Sequence, residues 1–284
     1  MPTSFLADSP SAGYPKRTMK QPETVSDTED EELFAPPPDV SHLITEDDTP
    51  VDNLFSEKQM RLLTESLHSS WNPGFPFVVM ANVAVYVALN RPAIVPDVLL
   101  TTQVEPLPEI LEKDHRSYFS WLYEGRPPEV VIEIVSNKKG NELGSKMRNY
   151  EHMGVLWYAV YDPMLLLSEE PLQLFTLISP RKYQKTAPDT FLGDAGLGLT
   201  VWEGAFEGSP CHWLRWRTPD GKLVPTGKER GDHEAARATA EATRASAEAA
   251  RASAEAIRAT AASARAEKLA AKLRELGLDP DSIS

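Results

Sequence analysis

Residues 130–137 read Val130-Val131-Ile132-Glu133-Ile134-Val135-Ser136-Asn137, a single acid set among five β-branched apolar residues. This composition, opened by Pro127-Pro128, predicts a strand over 129–135. The two-residue period of a strand puts Val131, Glu133 and Val135 on one sheet face and Val130, Ile132 and Ile134 on the other. A carboxylate in that setting is costly unless something pairs with it, and a cation or a metal ion is the usual partner. Asp97 poses the same question, because it follows Pro96 inside the apolar run Ile94-Val95-Pro96-Asp97-Val98-Leu99-Leu100. If the two strands are neighbours, both carboxylates converge on one cation. Hard oxygen donors with no His or Cys nearby favour Mg²⁺ or Mn²⁺ over zinc. A salt bridge is the alternative for either acid.

Downstream, residues 142–153 predict a helix whose apolar stripe is Leu143, Met147, Tyr150 and Met153, with Gly154 as its stop. Lys146 lies beside that stripe, one turn before Tyr150. There it either neutralises a charge at the end of the Glu133 strand or faces solvent as an ordinary helix lysine. Strand material also reads at 77–80, 83–87, 94–100, 156–161 and 172–179, with a hairpin turn at Pro219-Asp220-Gly221. A helix fits 56–68, with Ser56 as its N-cap and Met60, Leu63 and Leu67 at helical spacing. The expected fold class is α/β, more closely an α+β mixed sheet, over residues 55–225.

Two segments flank that domain. Residues 1–54 contain Pro36-Pro37-Pro38 and an acidic run from Asp27 to Glu32, which predict a disordered acidic leader. Residues 226–284 repeat every seven positions: Arg237, Arg244, Arg251, Arg258 and Arg265 share one heptad position, and Glu234, Glu241, Glu248 and Glu255 precede the first four by three residues. Alanine fills most other places, so a long helix is expected. It is either a solvated single helix or a close-packed coiled coil that could support a homodimer.

The chain carries 29 Lys+Arg against 42 Asp+Glu, a net charge of −13. Residues 1–70 account for −9 of this, residues 71–225 for −4, and the tail is neutral. No part is a basic footprint for strong nonspecific DNA binding. One cysteine, Cys211, excludes an internal disulfide framework and fits a reducing compartment. No run approaches the ~18 apolar residues needed to span a bilayer, and the N-terminal residues do not read as a secretory signal. The expectation is a cytoplasmic protein with no membrane partner. Gly140-Asn141-Glu142-Leu143-Gly144-Ser145-Lys146 sits where a phosphate-binding loop would, but it has three residues between its glycines and Ser-Lys in reversed order. The six histidines show no paired metal spacing, and no G-x-S-x-G elbow exists.

Pro96-Asp97, Glu133-Ile134-Val135-Ser136-Asn137, Lys146 with Tyr150, and Tyr161-Asp162-Pro163 together resemble the bacterial Uma-two family of restriction-endonuclease-like proteins, within the PD-(D/E)xK nuclease superfamily. The resemblance covers about 75–205, and the Ala-rich heptads ending in Leu273-Arg274-Glu275-Leu276-Gly277 also resemble a tail of such proteins. It implies a restriction-endonuclease-like core in which Asp97 and Glu133 are metal-binding carboxylates and Asp97, Glu133 and Lys146 are catalytic. The implied activity is phosphodiester hydrolysis in nucleic acid, DNA first, assisted by Mg²⁺ or Mn²⁺. The superfamily pattern has a lysine two residues after the Glu, where this chain has Val135. Lys146 is then the displaced lysine, with Lys138 and Lys139 as rivals. The contrasting reading is a catalytically silent interaction module carrying a helical spacer.

Overall fold

The computed structural model describes residues 38–43, 53–178, 181–277 and 279–280. Most of the stretch read as an acidic leader, 1–37 and 44–52, lies outside the described residues. Within 38–43, Val40 is buried beside Tyr86 and Phe119.

The core is a six-stranded sheet. Its strands in chain order are β1 (Phe77–Ala81), β3 (Val98–Thr102), β5 (Val130–Ile134), β6 (Trp157–Tyr161), β7 (Leu172–Ile178) and β8 (Lys182–Thr186), and this is also their spatial order. Only β5 and β6 run parallel; every other neighbouring pair is antiparallel. The parallel pair needs a crossover, which the helix α2 (Met147–Met153) supplies. Short strands β2 (Val85–Tyr86) and β4 (Tyr118–Phe119) pair outside the main sheet.

The alternation read along 130–135 is the one observed. Val130, Ile132 and Ile134 enter one hydrophobic cluster, and Val131 and Val135 enter the other. The first cluster is closed by the helix α1 (Leu54–Ser70) through Met60, Leu63 and Leu67, and by a long hairpin of β9 (Gly198–Phe206) and β10 (Ser209–Arg217) through Leu214 and Trp216. Gln59 of α1 grips this hairpin, accepting from the Leu214 N–H and donating to its carbonyl, both at 2.9 Å. The second cluster lies on the opposite face under α2 and the aromatic insertion, where Tyr118 and Tyr123 stack at 4.5 Å.

Three expectations change. The N-cap of α1 is Asn53, whose side chain accepts from the Ser56 N–H at 3.0 Å, so the helix starts earlier than Ser56 would allow. The strand expected from Ile94 begins only at Val98, because Pro96 has no N–H for a ladder. The stripe Leu143-Met147-Tyr150 is not one face: residues Glu142–Lys146 form a π-helical turn in which Gly144 leaves helical dihedrals. That wider turn shifts the register, exposing Leu143 and burying Glu142.

At the end of α2, Gly154 adopts φ +90° and its N–H donates to the Tyr150 and Glu151 carbonyls. An alanine there meets only Pro127 at 3.8 Å, so its cost is backbone strain rather than collision. Gly154→Ala is expected to lower the unfolding free energy by about 1–2 kcal/mol, read from the urea midpoint. A shift below the error of the fit would mean α2 can end without a left-handed residue.

The tail is one continuous helix, α3 (Gly227–Glu275), with Thr226 and Glu229 forming a reciprocal capping box. Its start is anchored. Buried Arg215 of β10 donates to both Glu229 oxygens at 2.7 and 3.0 Å, and the Gly227 N–H donates to Glu65 of α1 at 2.8 Å. Beyond that anchor none of its residues is buried. Trp213 and Trp216 of β10 are core residues. No described helix is long and apolar enough to cross a membrane.

Candidate active site

The register of β3 against β5 decides what meets Glu133. Val98 lies opposite Ile132 and Leu99 opposite Val131, so the next position along sets Asp97 opposite Glu133, at the end of the ladder. Opposed residues of an antiparallel pair share a face. Asp97 is held there by the backbone, its Oδ2 accepting the Ile134 N–H at 2.6 Å.

Glu133 is fully buried. Its Oε2 accepts from the Lys146 ammonium at 2.9 Å and its Oε1 from the Tyr150 hydroxyl at 2.6 Å. The strand after Glu133 and the π-helical turn bring these partners over the carboxylate, Lys146 from the turn and Tyr150 from α2 one turn later. Asp97, Glu133 and Lys146 therefore meet. Lys138 and Lys139 stay in the loop, lining a cleft of about 600 Å³ together with Asp97, Glu142 and Lys146. The apolar side chain of Val135 is sealed in the second cluster. Lys146 reaches Glu133 from the helix side.

Two residues at this site were not assigned a role from sequence. In the sequence Tyr150 stands in an apolar stripe and, with Lys146, among the residues that carry the family resemblance, with no role of its own. Glu142 is buried, lies 3.7 Å from the Lys146 ammonium through Oε1, and its Oε2 has no hydrogen-bond partner among the described residues. The spacing of Glu142, Lys146 and Tyr150, four residues apart each time, was the signal available.

Burial pushes the Glu133 carboxyl up and the Asp97 charge adds to it. Lys146 and the Tyr150 hydroxyl pull it down, but burial prevails and the carboxyl rests at about 8. Burial alone would lower the Lys146 ammonium, yet the surrounding Glu133, Asp97 and Glu142 outweigh it and hold it above its ordinary value. Burial, then Glu133, raises the Tyr150 hydroxyl well out of reach, so it stays a donor.

The raised carboxyl has a consequence for stability in metal-free buffer. Its folded pKa lies above the reference value of 4.5, so between those values the folded protein keeps a proton the unfolded chain has lost. Stability from this group is full below pH 4.5 and declines as pH rises towards 8. With EDTA present, the urea midpoint of the wild type is expected to fall between pH 5 and pH 8 more than that of Glu133→Gln (pH range set by the same pKa). Parallel curves would mean Glu133 ionises alike in both states.

Among the described residues no cluster of three or more His, Cys, Asp or Glu is disposed to hold a metal. The donor set that remains, Asp97 and Glu133, suits a small hard cation bound by one or two carboxylates, with water and substrate phosphate filling the other positions. The residues present therefore fit Mg²⁺ or Mn²⁺ better than a softer or fully caged ion.

The profile of the Uma2 family, described as "Putative restriction endonuclease", matches residues 47–200. No curated protein matches the chain.

Proposed function

The chain belongs to the Uma2 family, described as "Putative restriction endonuclease", and on that premise we propose that it is an endonuclease hydrolysing phosphodiester bonds in DNA with Mg²⁺ or Mn²⁺. The observation that supports this reading is the pairing of Asp97 with Glu133 across β3 and β5, beside a cleft, with a lysine 2.9 Å from the buried acid. Asp97 and Glu133 would hold the cation, which when bound supplies Lewis acidity towards a phosphate and a more acidic water.

The chain's own residues do the rest. Tyr150 keeps the Glu133 side chain in one rotamer by donating to Oε1. The Ile134 N–H does the same for Asp97. Lys146 brings a positive charge within reach of the point where negative charge develops on the phosphate. Lys138 and Lys139, on the wall of the same cleft, give local attraction for the phosphate backbone on a chain whose net charge is −13. A reducing, cytoplasmic setting belongs to this reading, and Cys211 is a free thiol.

The sealed apolar place at Val135 favours the contrasting reading, a nuclease fold that binds without cutting. One experiment separates them. The wild type is expected to nick supercoiled plasmid with Mn²⁺ or Mg²⁺, and EDTA is expected to stop it. No cleavage of plasmid or labelled single strands in either metal, together with no cation binding by calorimetry, would replace the nuclease with the silent module.

A further inference from the structure

Glu133 is fully buried and lies behind the cleft lining. Its Oε2 is held at 2.9 Å by the ammonium of Lys146, which does line the cleft. A cation that binds Glu133 meets a resident positive charge in the same place, and the two repel. The ammonium therefore needs somewhere to go that keeps it at the site.

The neighbouring acid has the features of that destination. Glu142 is only 4% exposed, yet its Oε2 has no hydrogen-bond partner among the described residues. An unpartnered buried carboxylate oxygen is a costly feature for a fold to retain. Its Oε1 is already 3.7 Å from the Lys146 ammonium, too long for a hydrogen bond and close enough for a short swing to make one. The carboxylate rests on the bare face of Gly140: a Cβ there would sit 1.9 Å from Glu142 Oε1. The space beside Gly140 thus holds the acid in the cleft wall, four residues before the lysine it faces.

We infer that Glu142 is the second seat of Lys146, the residue that takes the ammonium when a cation occupies Asp97 and Glu133. This rests on the metal-binding reading of those two acids and adds a positioning residue to it. Glu142 touches neither the cation nor the phosphate in this arrangement. It acts through Lys146, lowering the cost of clearing the cation seat and keeping the lysine charged and within reach of the cleft.

The test is a double-mutant cycle read by calorimetric titration of Mn²⁺ alone, with no nucleic acid present. The wild type binds. Glu142→Gln is expected to weaken the dissociation constant about tenfold, because Lys146 then has only Glu133 to pair with. In the Lys146→Met background the same substitution is expected to change affinity less than about twofold, since no ammonium remains to be moved. Gly140→Ala, which keeps every charge but displaces the Glu142 carboxylate, is expected to weaken binding as Glu142→Gln does. It also keeps the inference testable if the Gln variant folds poorly.

An unchanged constant in both Glu142→Gln and Gly140→Ala overturns the second seat while leaving the metal site intact. A loss that persists with Lys146→Met overturns it in favour of Glu142 as a ligand itself. A wild type that takes no Mn²⁺ removes the metal-binding reading and this inference together.

Discussion

Glu133→Gln is expected to lower metal-dependent plasmid nicking by about a thousandfold or more, about 4 kcal/mol of transition-state stabilisation. The substitution keeps the volume of a side chain that is fully buried and removes one of the two carboxylates proposed to hold the cation. The Gln oxygen can still accept from Tyr150 or from Lys146, which donate at 2.6 and 2.9 Å to the native acid. It cannot present negative charge to a cation. Stability should change little, within about 1 kcal/mol, because a neutral group replaces a carboxyl that burial already drives towards neutrality. The measurement is a nicking time course in Mn²⁺ beside urea midpoints for both proteins. A Glu133→Gln rate within tenfold of wild type, at equal stability, would remove Glu133 from the chemistry.

The largest structural effect is expected from Trp216→Ala, at about 3–5 kcal/mol of unfolding free energy. Trp216 is fully buried in the cluster that joins α1, the sheet and the β9–β10 hairpin. Its Nε1 donates to the Leu63 carbonyl on α1 at 2.9 Å. Truncation leaves a cavity at a three-way junction that cannot close without moving the helix or the hairpin. Against a total stability of about 5–15 kcal/mol for an ordinary domain, that is a large share. Trp216→Phe keeps much of the apolar contact and loses the hydrogen bond, so about 1–2 kcal/mol is expected. Both are read by equilibrium urea unfolding. A loss below about 1 kcal/mol for the alanine variant would mean the hairpin is peripheral to the core.

Particular residues mark where sequence reading succeeds. The alternation along 130–135 correctly divides its side chains between two apolar clusters, since the two-residue period follows from backbone geometry alone. The heptads of the tail give the long helix expected, because alanine propensity and i,i+4 pairs are local. Glu133 stands out for the same reason: an acid among β-branched residues is anomalous wherever the strand lies.

Other residues mark where it falls short. The exposure of Leu143 and the burial of Glu142 depend on a π-helical turn at Gly144, a shift that an uninterrupted helix over 142–153 does not anticipate. The β9 strand leaves no such signal: its burial is mixed along its length, and its pairing with β10 defines it rather than a regular pattern of its own. The cap of α1 moved from Ser56 to Asn53 because both residue types cap well and the upstream backbone geometry chose between them.

The chain's local pattern thus set the element types, the two-faced strand, the rod and the identity of the anomalous acid. Tertiary structure alone set the company that acid keeps. Asp97 faces Glu133 through a strand register 36 residues apart in sequence, Lys146 reaches Glu133 across from the following turn, and Glu142 lies beside it on Gly140. The physical reason is range. Backbone periodicity and propensity act within a few residues and can be read along a line, whereas a charged site is assembled by strand register and helix placement, which only the packed core selects.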